Sequence, residues 1–229
     1  MSKPVIEARA LARRFGQRWA LSRLDLCINP GEKFLIVGGN GSGKTTLLRI
    51  LATALPRSLG DLKLFGMDPD TERQSIRARS ALLSHQPAIY EDLSSSENLD
   101  IVCRLAGQPT HAEELLEKVG LPVRPDPVRF YSAGMRKRLA FARLLAQKPE
   151  LALIDEPYGQ LDPEGFDLVD ALMGTLSEEG CTVVIASHLV DRAAERCERA
   201  LLLEAGQARY LGPAADVPKA WRVLHKGGA

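Results

Sequence analysis

The stretch "KFLIVGGNGSGKTTLLRIL", residues 33–51, decides the fold. Its apolar run, 34–37, reads as a strand buried on both faces. A glycine-rich turn follows, and then an apolar-periodic helix expected to run about four turns through "TTLLRILATAL". The turn fits G-x-x-x-x-G-K-[ST] over residues 38–45, and its position between strand and helix gives the pattern its meaning. Gly38, Gly39, Asn40, Gly41, Ser42 and Gly43 would turn successive backbone N–H groups inward around phosphate oxygens, and the helix dipole would add to that attraction. Lys44 would reach the β- and γ-phosphates, the Thr45 hydroxyl would hold Mg²⁺, and Thr46 would donate to the α-phosphate.

A phosphate loop alone leaves kinases, GTPases, helicases and many ATPases open. "LALIDE", 151–156, narrows the choice, because a buried strand delivers Asp155 and Glu156 to its C-terminal end, where ligands of α/β sheets bind. Asp155 would hold the magnesium shell, and Glu156 would orient or deprotonate an attacking water. Gln86 after "ALLSH" and His188 after "TVVIAS" also follow strand-like runs, so both are expected at the same edge.

Working outward, "VIEARAL" and "LSRLDLCI" alternate as antiparallel strands, and "GDLKLFG", "ARSALLS" and "CTVVIAS" read as further strands. "SSSENLDIVCRLAG" and "HAEELLEKVGL" read as helices capped by Ser95 or Ser96 and by Thr110. The helix-rich segment 87–132 suggests an inserted helical subdomain. "PEGFDLVDALMGTLSEEG" and "LVDRAAERCE" read as helices, and "RALLLEAGQARYLG" as a hairpin. The expected class is α/β, a P-loop NTPase (RecA-like) with a mainly parallel sheet, an N-terminal antiparallel β subdomain and the helical insertion. The tail from Pro213 is expected to form no more than a turn or two of helix.

The 229 residues are 45% hydrophobic and 26% charged with a formal net charge of +1, which suits one folded core and gives no hint of a nucleic-acid surface. No apolar run approaches the roughly 20 residues that span a bilayer, and no signal peptide is evident, so a membrane role would be peripheral. Cys27, Cys103, Cys181 and Cys197 are scattered without a CxxC pair, as structural thiols of a reducing compartment would be.

"YSAGMRKRLAFARLLAQ", 131–147, reads as a helix capped by Ser132, yet it carries Arg136, Lys137 and Arg138 in its first turns, where the helix dipole is already positive. Read alone, these bases would most simply form a solvated face; with an anion or a partner's acidic groups at the helix end, they would add to the field there or pair with those groups.

The order of these motifs resembles the ATP-binding subunits of ABC transporters over about residues 5–212, as a single nucleotide-binding domain, 1–229. "GGNGSGKT" stands as the Walker A loop, Gln86 as the Q-loop glutamine, "YSAGM" as the signature, "LALIDE" as the Walker B strand, "GQLD" as the D-loop and His188 as the switch histidine. The resemblance implies a head-to-tail homodimer closing over two ATP molecules with Mg²⁺, attached to an integral membrane transporter subunit on the cytoplasmic, inner face of the cell membrane. It implies that Ser132, Ala133 and Gly134 meet the ATP of the partner, that Phe15 stacks on adenine with Trp19 as competitor, and that Gln86 senses magnesium. His188 would hold the γ-phosphate, and Asp162 would act across the dimer. Ala133 and Met135 depart from the usual LSGGQ, as do Gly159 and Gln160 in the D-loop. Hydrolysis is expected to survive, because Ser132, Gly134 and Glu156 remain.

Within that family "LSHQPAIYEDLSSSENL" and the "SAG" signature are similar to the ATPase subunit of the haem exporter of cytochrome c maturation. This implies haem-handling partners and either haem export or release of a haem-loaded chaperone. The alternatives are an ATPase subunit for drug, lipid or peptide export, and a soluble ABC ATPase acting on DNA or ribosomes. The latter carries two nucleotide domains or a long coiled coil, neither of which is read here. A binding module that hydrolyses poorly would lack Glu156 or His188.

Overall fold

The computed structural model describes residues 3–84 and 88–225. The chain opens with a hairpin of β1 (Ile6–Phe15) and β2 (Arg18–Ile28), followed by β3 (Lys33–Val37), α1 (Lys44–Leu51), β4 (Leu59–Leu64), α2 (Arg73–Arg79) and β5 (Ser80–Leu83). Next come α3 (Ser95–Leu105), α4 (Ala112–Lys118), a 3-10 turn at Val128–Phe130 and α5 (Ala133–Ala146). The second half alternates β6 (Leu151–Asp155), α6 (Pro163–Glu178), β7 (Thr182–Ser187), α7 (Val190–Ala194) and the hairpin β8 (Arg199–Glu204) and β9 (Gln207–Pro213). A 3-10 turn then leads into α8 (Val217–His225).

Two sheets form. The antiparallel one has the order β2-β1-β4, and the larger one the order β5-β6-β7-β3-β8-β9, parallel except for β9. Apolar runs such as "FLIV", "LALI" and "VVIA" become the central strands because both faces are covered. Alternation along β3 splits the core in two. Phe34 and Ile36 join Leu47 and Leu48 of α1 and Ile6 and Leu24 of the antiparallel sheet, whereas Leu35 and Val37 join Phe141 of α5 and Leu172 of α6.

Strand register positions the site. Val37 pairs with Ser187 and Asp155 pairs with Ala186, so the segments leaving β3, β6 and β7 emerge side by side at one edge of the sheet. That edge is the C-terminal one, where open α/β sheets bind ligands.

Several local expectations change. α1 stops at Leu51 after 8 residues, about two turns rather than four, as the chain reverses through Thr53 at φ +55°. α3 is capped by Ser94, whose hydroxyl accepts from the Glu97 N–H while the Glu97 carboxylate accepts from the Ser94 N–H, a reciprocal capping box. Ser95 is buried, its hydroxyl accepting from Tyr131 at 3.2 Å. Thr110 caps nothing: α4 starts after His111 with no side-chain cap bond. α2 was unforeseen, since it buries only Ile76. α8 is longer than expected, and Val217, Ala220 and Trp221 pack it onto the core. No helix among the described residues is long and apolar enough to cross a membrane.

Between residues 88 and 132 the described chain holds α3, α4 and the 3-10 turn. Leu99, Leu116, Val119 and Val128 from this segment share one core cluster with Leu139 and Phe141 of α5. The cysteines form no disulfide, and burial pushes the Cys181 thiol up to about 11, well away from reactivity at neutral pH.

Candidate functional site

The loop between β3 and α1 is held tightly. Gly43 has φ +110°, and a Cβ there would sit 2.6 Å from the Ala20 carbonyl; one on Gly38 would sit 2.5 Å from the Leu203 carbonyl. The loop curls over the first residue of α1: Lys44, only 7% exposed, donates to the carbonyls of Gly38 at 2.7 Å and Gly39 at 3.2 Å. Burial lowers its pKa, while Glu156 and Asp155 act in the opposite direction.

Facing Lys44 is the end of β6. The Thr45 hydroxyl donates to Asp155 Oδ2 at 2.8 Å. Asp155 Oδ1 is buried and finds no hydrogen-bond partner among the described residues, as is true of the Ser42 hydroxyl. Such orphaned acceptors are costly unless something else satisfies them.

Glu156 follows in the left-handed region at φ +52°, its N–H donating to the Ala186 carbonyl at 2.8 Å. A non-glycine residue there is uncommon and marks a constrained backbone. Its carboxylate lies 2.7 Å from Nδ1 of His188, which follows β7 and is largely exposed.

A cleft of about 580 Å³ joins these parts. Phe15, Asn40, Gly41, Ser42, Gly43, Lys44, Thr45, Thr46, Asp155 and Glu156 line it, with Arg18 and Ala20. Gly38 and Gly39 contribute the carbonyls that hold Lys44. Phe15 is 48% exposed at the cleft with the Arg13 guanidinium 4.6 Å from its ring centre, while Trp19 pairs with Arg14 and does not line the cleft. Arg18, the first residue of β2, was missed by sequence reading, although a cation directly after the hairpin turn was the available signal.

Other expected residues lie apart from this cleft. Ser132 caps α5 by accepting from the Met135 N–H at 3.2 Å, and Ala133 is exposed at the same helix end. Gly134 faces the chain after β6, where a Cβ would sit 3.6 Å from the Gln160 carbonyl. Asp162 caps α6 by accepting from the Gly165 N–H at 2.8 Å. Gln86 lies outside the described residues.

The bases of α5 have partners within the chain. Arg136 donates to the Arg129 carbonyl at 2.8 Å and reaches Glu91 at 3.4 Å, and Arg138 donates to the Val119 carbonyl at 3.0 Å. Lys137, 4% exposed, donates to the Glu156 carbonyl at 2.7 Å. Burial lowers the Lys137 pKa to about 8, with Asp155 and Glu156 partly offsetting it.

The profile of the ABC transporter family matches residues 21–159. A cytochrome c biogenesis ATP-binding export protein, CcmA of Xanthomonas campestris, is 39% identical over 208 residues, covering 88% of this chain and 95% of that protein. A daunorubicin resistance ATP-binding protein of Streptomyces coeruleorubidus is 34% identical over 227 residues, covering 95% of this chain and 71% of that protein. Among solved structures, a dimeric bacterial ABC transporter cassette superposes with a TM-score of 0.81 at 27% identity, covering 91% of this chain and 98% of the other. The chain belongs to the ABC transporter family, as one of its nucleotide-binding ATPase subunits.

Proposed function

We propose that ATP binds in the cleft between the 38–45 loop and the end of β6, and that Glu156 activates the water that attacks it. The observation that carries this reading is the Glu156 carboxylate at the mouth of the cleft, 2.7 Å from His188 and beside the residues Lys44, Thr45 and Asp155. Phe15 offers a flat apolar face for adenine, the loop N–H groups and the α1 N-terminus face the phosphates, and Lys44 turns from the loop carbonyls to the γ-phosphate. His188 orients the Glu156 carboxylate and meets the terminal phosphate.

The donor set fits Mg²⁺: one carboxylate with a buried free oxygen, Asp155, beside one hydroxyl, Thr45, and no cluster of three metal-ligating side chains among the described residues. Mg²⁺ characteristically takes one or two protein oxygens and completes its shell with substrate phosphates and water. When bound it neutralises charge on the β- and γ-phosphates. Gln86 is assigned to the same shell by its motif.

The working unit in this reading is a head-to-tail homodimer, in which the Ser132-capped end of α5, with Ala133 and Gly134, faces the nucleotide on the partner, and Asp162 acts across the interface. An anion there meets the N-terminus of α5, where backbone N–H groups and the helix dipole favour it. Segment 87–132 forms a helical subdomain that meets an integral membrane subunit at the inner face of the membrane. The 39% identity with a cytochrome c biogenesis export ATPase, matched along nearly all of its length, supports work in haem export or haem-chaperone release. A second reading, export of a drug, is favoured by the 34% identity with the daunorubicin resistance protein. Affinity purification of the chain from membranes separates the two. Co-purification of an integral subunit with haem or haem-binding proteins supports the first, and a multi-span partner without haem contradicts it.

A further inference from the structure

Lys137 has no part in the cleft as sequence motifs define it, and it does not line the cavity. It is nevertheless a buried cation, 4% exposed, in the second turn of α5, with its ammonium 5.9 Å from the Phe141 ring centre one helical turn on. A lysine is rarely buried so fully without a specific partner. Its partner here is the carbonyl of Glu156 at 2.7 Å. That carbonyl also accepts from the Gly159 N–H at 3.2 Å, closing the turn by which the chain leaves β6. Glu156 itself sits at φ +52°, so its side-chain direction depends on keeping this turn in one conformation.

Two further contacts fix the same residue. Its N–H is held by the Ala186 carbonyl of β7, and its carboxylate by His188. Lys137 is the tether that comes from α5, in the same N-terminal turns that carry Ser132 and Gly134.

We propose that Lys137 is a positioning residue for Glu156: by clamping the Glu156 carbonyl to α5, it makes the carboxylate at this chain's own ATP follow the engagement of the Ser132 end with the partner's ATP. A shift of α5 when a second copy docks is thereby passed, through one hydrogen bond, to the turn that aims Glu156. The inference rests on the proposed role of Glu156.

The test compares Lys137→Met, which keeps the aliphatic stem and removes the donor, with Lys137→Gln, which restores an N–H donor without the charge. ATP turnover, KM for ATP and Tm are measured on the full chain. Lys137→Met is expected to lower kcat at least about tenfold with KM within about twofold, and Lys137→Gln to return kcat to within about threefold of wild type. Wild-type kcat in Lys137→Met overturns the inference; so does a loss that appears in KM, or a Gln variant that falls as far as Met. Where Lys137→Met does not fold, Lys137→Gln alone decides: near-wild-type kcat supports the tether, and a tenfold loss in a folded chain overturns it. Failure of the underlying reading looks different, because Glu156→Gln would then turn over ATP normally.

Discussion

His188 Nδ1 stands 2.7 Å from Glu156 Oε2, although 32 residues separate them, because β6 and β7 are neighbours whose ends are in register. The side chain of Glu156 is 17% exposed and that of His188 59%, so the pair forms a lip between core and solvent. His188→Ala removes the group that fixes the carboxylate. Turnover is expected to fall roughly 100-fold while nucleotide affinity changes little, as steady-state kinetics beside equilibrium binding of a fluorescent nucleotide will show. Equal losses in both would place His188 in binding alone.

Lys44→Ala deletes the charge that the Gly38 and Gly39 carbonyls hold over the loop. Calorimetric titration is expected to show ATP bound at least tenfold more weakly, about 1.4 kcal/mol or more. Unchanged affinity would contradict the assignment of the loop as the triphosphate cradle.

Asp155→Asn keeps the shape of the side chain, and the Thr45 hydroxyl keeps an acceptor. The charge facing the cation is lost. The Mg²⁺ concentration for half-maximal turnover should rise about tenfold or more, measured at fixed ATP. A wild-type Mg²⁺ profile would remove Asp155 from the metal shell.

Away from the cleft, Asp170 on α6 is a buried hub. It accepts from Tyr158 at 2.7 Å, from Arg192 at 2.7 Å and from Arg196 at 3.1 Å, with its side chain 9% exposed. Burial and this carboxylate hold the Tyr158 phenol far above its ordinary pKa. Asp170→Ala leaves the Tyr158 hydroxyl without its acceptor, while Arg192 keeps Asp167 and Arg196 reaches solvent, and it should cost about 2 kcal/mol in urea unfolding, whereas Tyr158→Phe should cost about 1 kcal/mol.

The buried Lys137 makes a pH-dependent contribution of defined sign. Its folded-state pKa of about 8 lies below the ordinary 10.5, so between these values the unfolded chain binds more protons and stability rises with pH. The unfolding free energy of wild type minus that of Lys137→Met should therefore grow from pH 8 to 10, by about 3 kcal/mol at most. A difference that is flat or falls over that window would show the ammonium to be solvated.

The strand, loop and helix around Lys44 were legible because the whole signal is local: four apolar residues, glycines where the backbone must turn, and a lysine at fixed spacing. Asp155 and Glu156 could be read for a similar reason, at the end of an apolar run. The ends of elements were less legible. Three adjacent serines, 94–96, all suit a cap, and the signal passed over was Glu97 three residues after Ser94, which closes the reciprocal box. The roles of Arg136, Lys137 and Arg138 were not legible at all. Their sequence is one basic run, yet they reach the Arg129, Glu156 and Val119 carbonyls on three different segments, which only the tertiary arrangement brings around α5.

The central claim is that Glu156 activates the attacking water on an ATP shared between two copies of this chain. The most direct measurement is single-turnover hydrolysis by Glu156→Gln, with oligomeric state followed by light scattering in the same samples. The account predicts ATP bound at near wild-type affinity, hydrolysis slowed roughly 100-fold or more, and accumulation of an ATP-bound dimer. Wild-type hydrolysis by Glu156→Gln, or turnover by a chain that stays monomeric throughout, would contradict it.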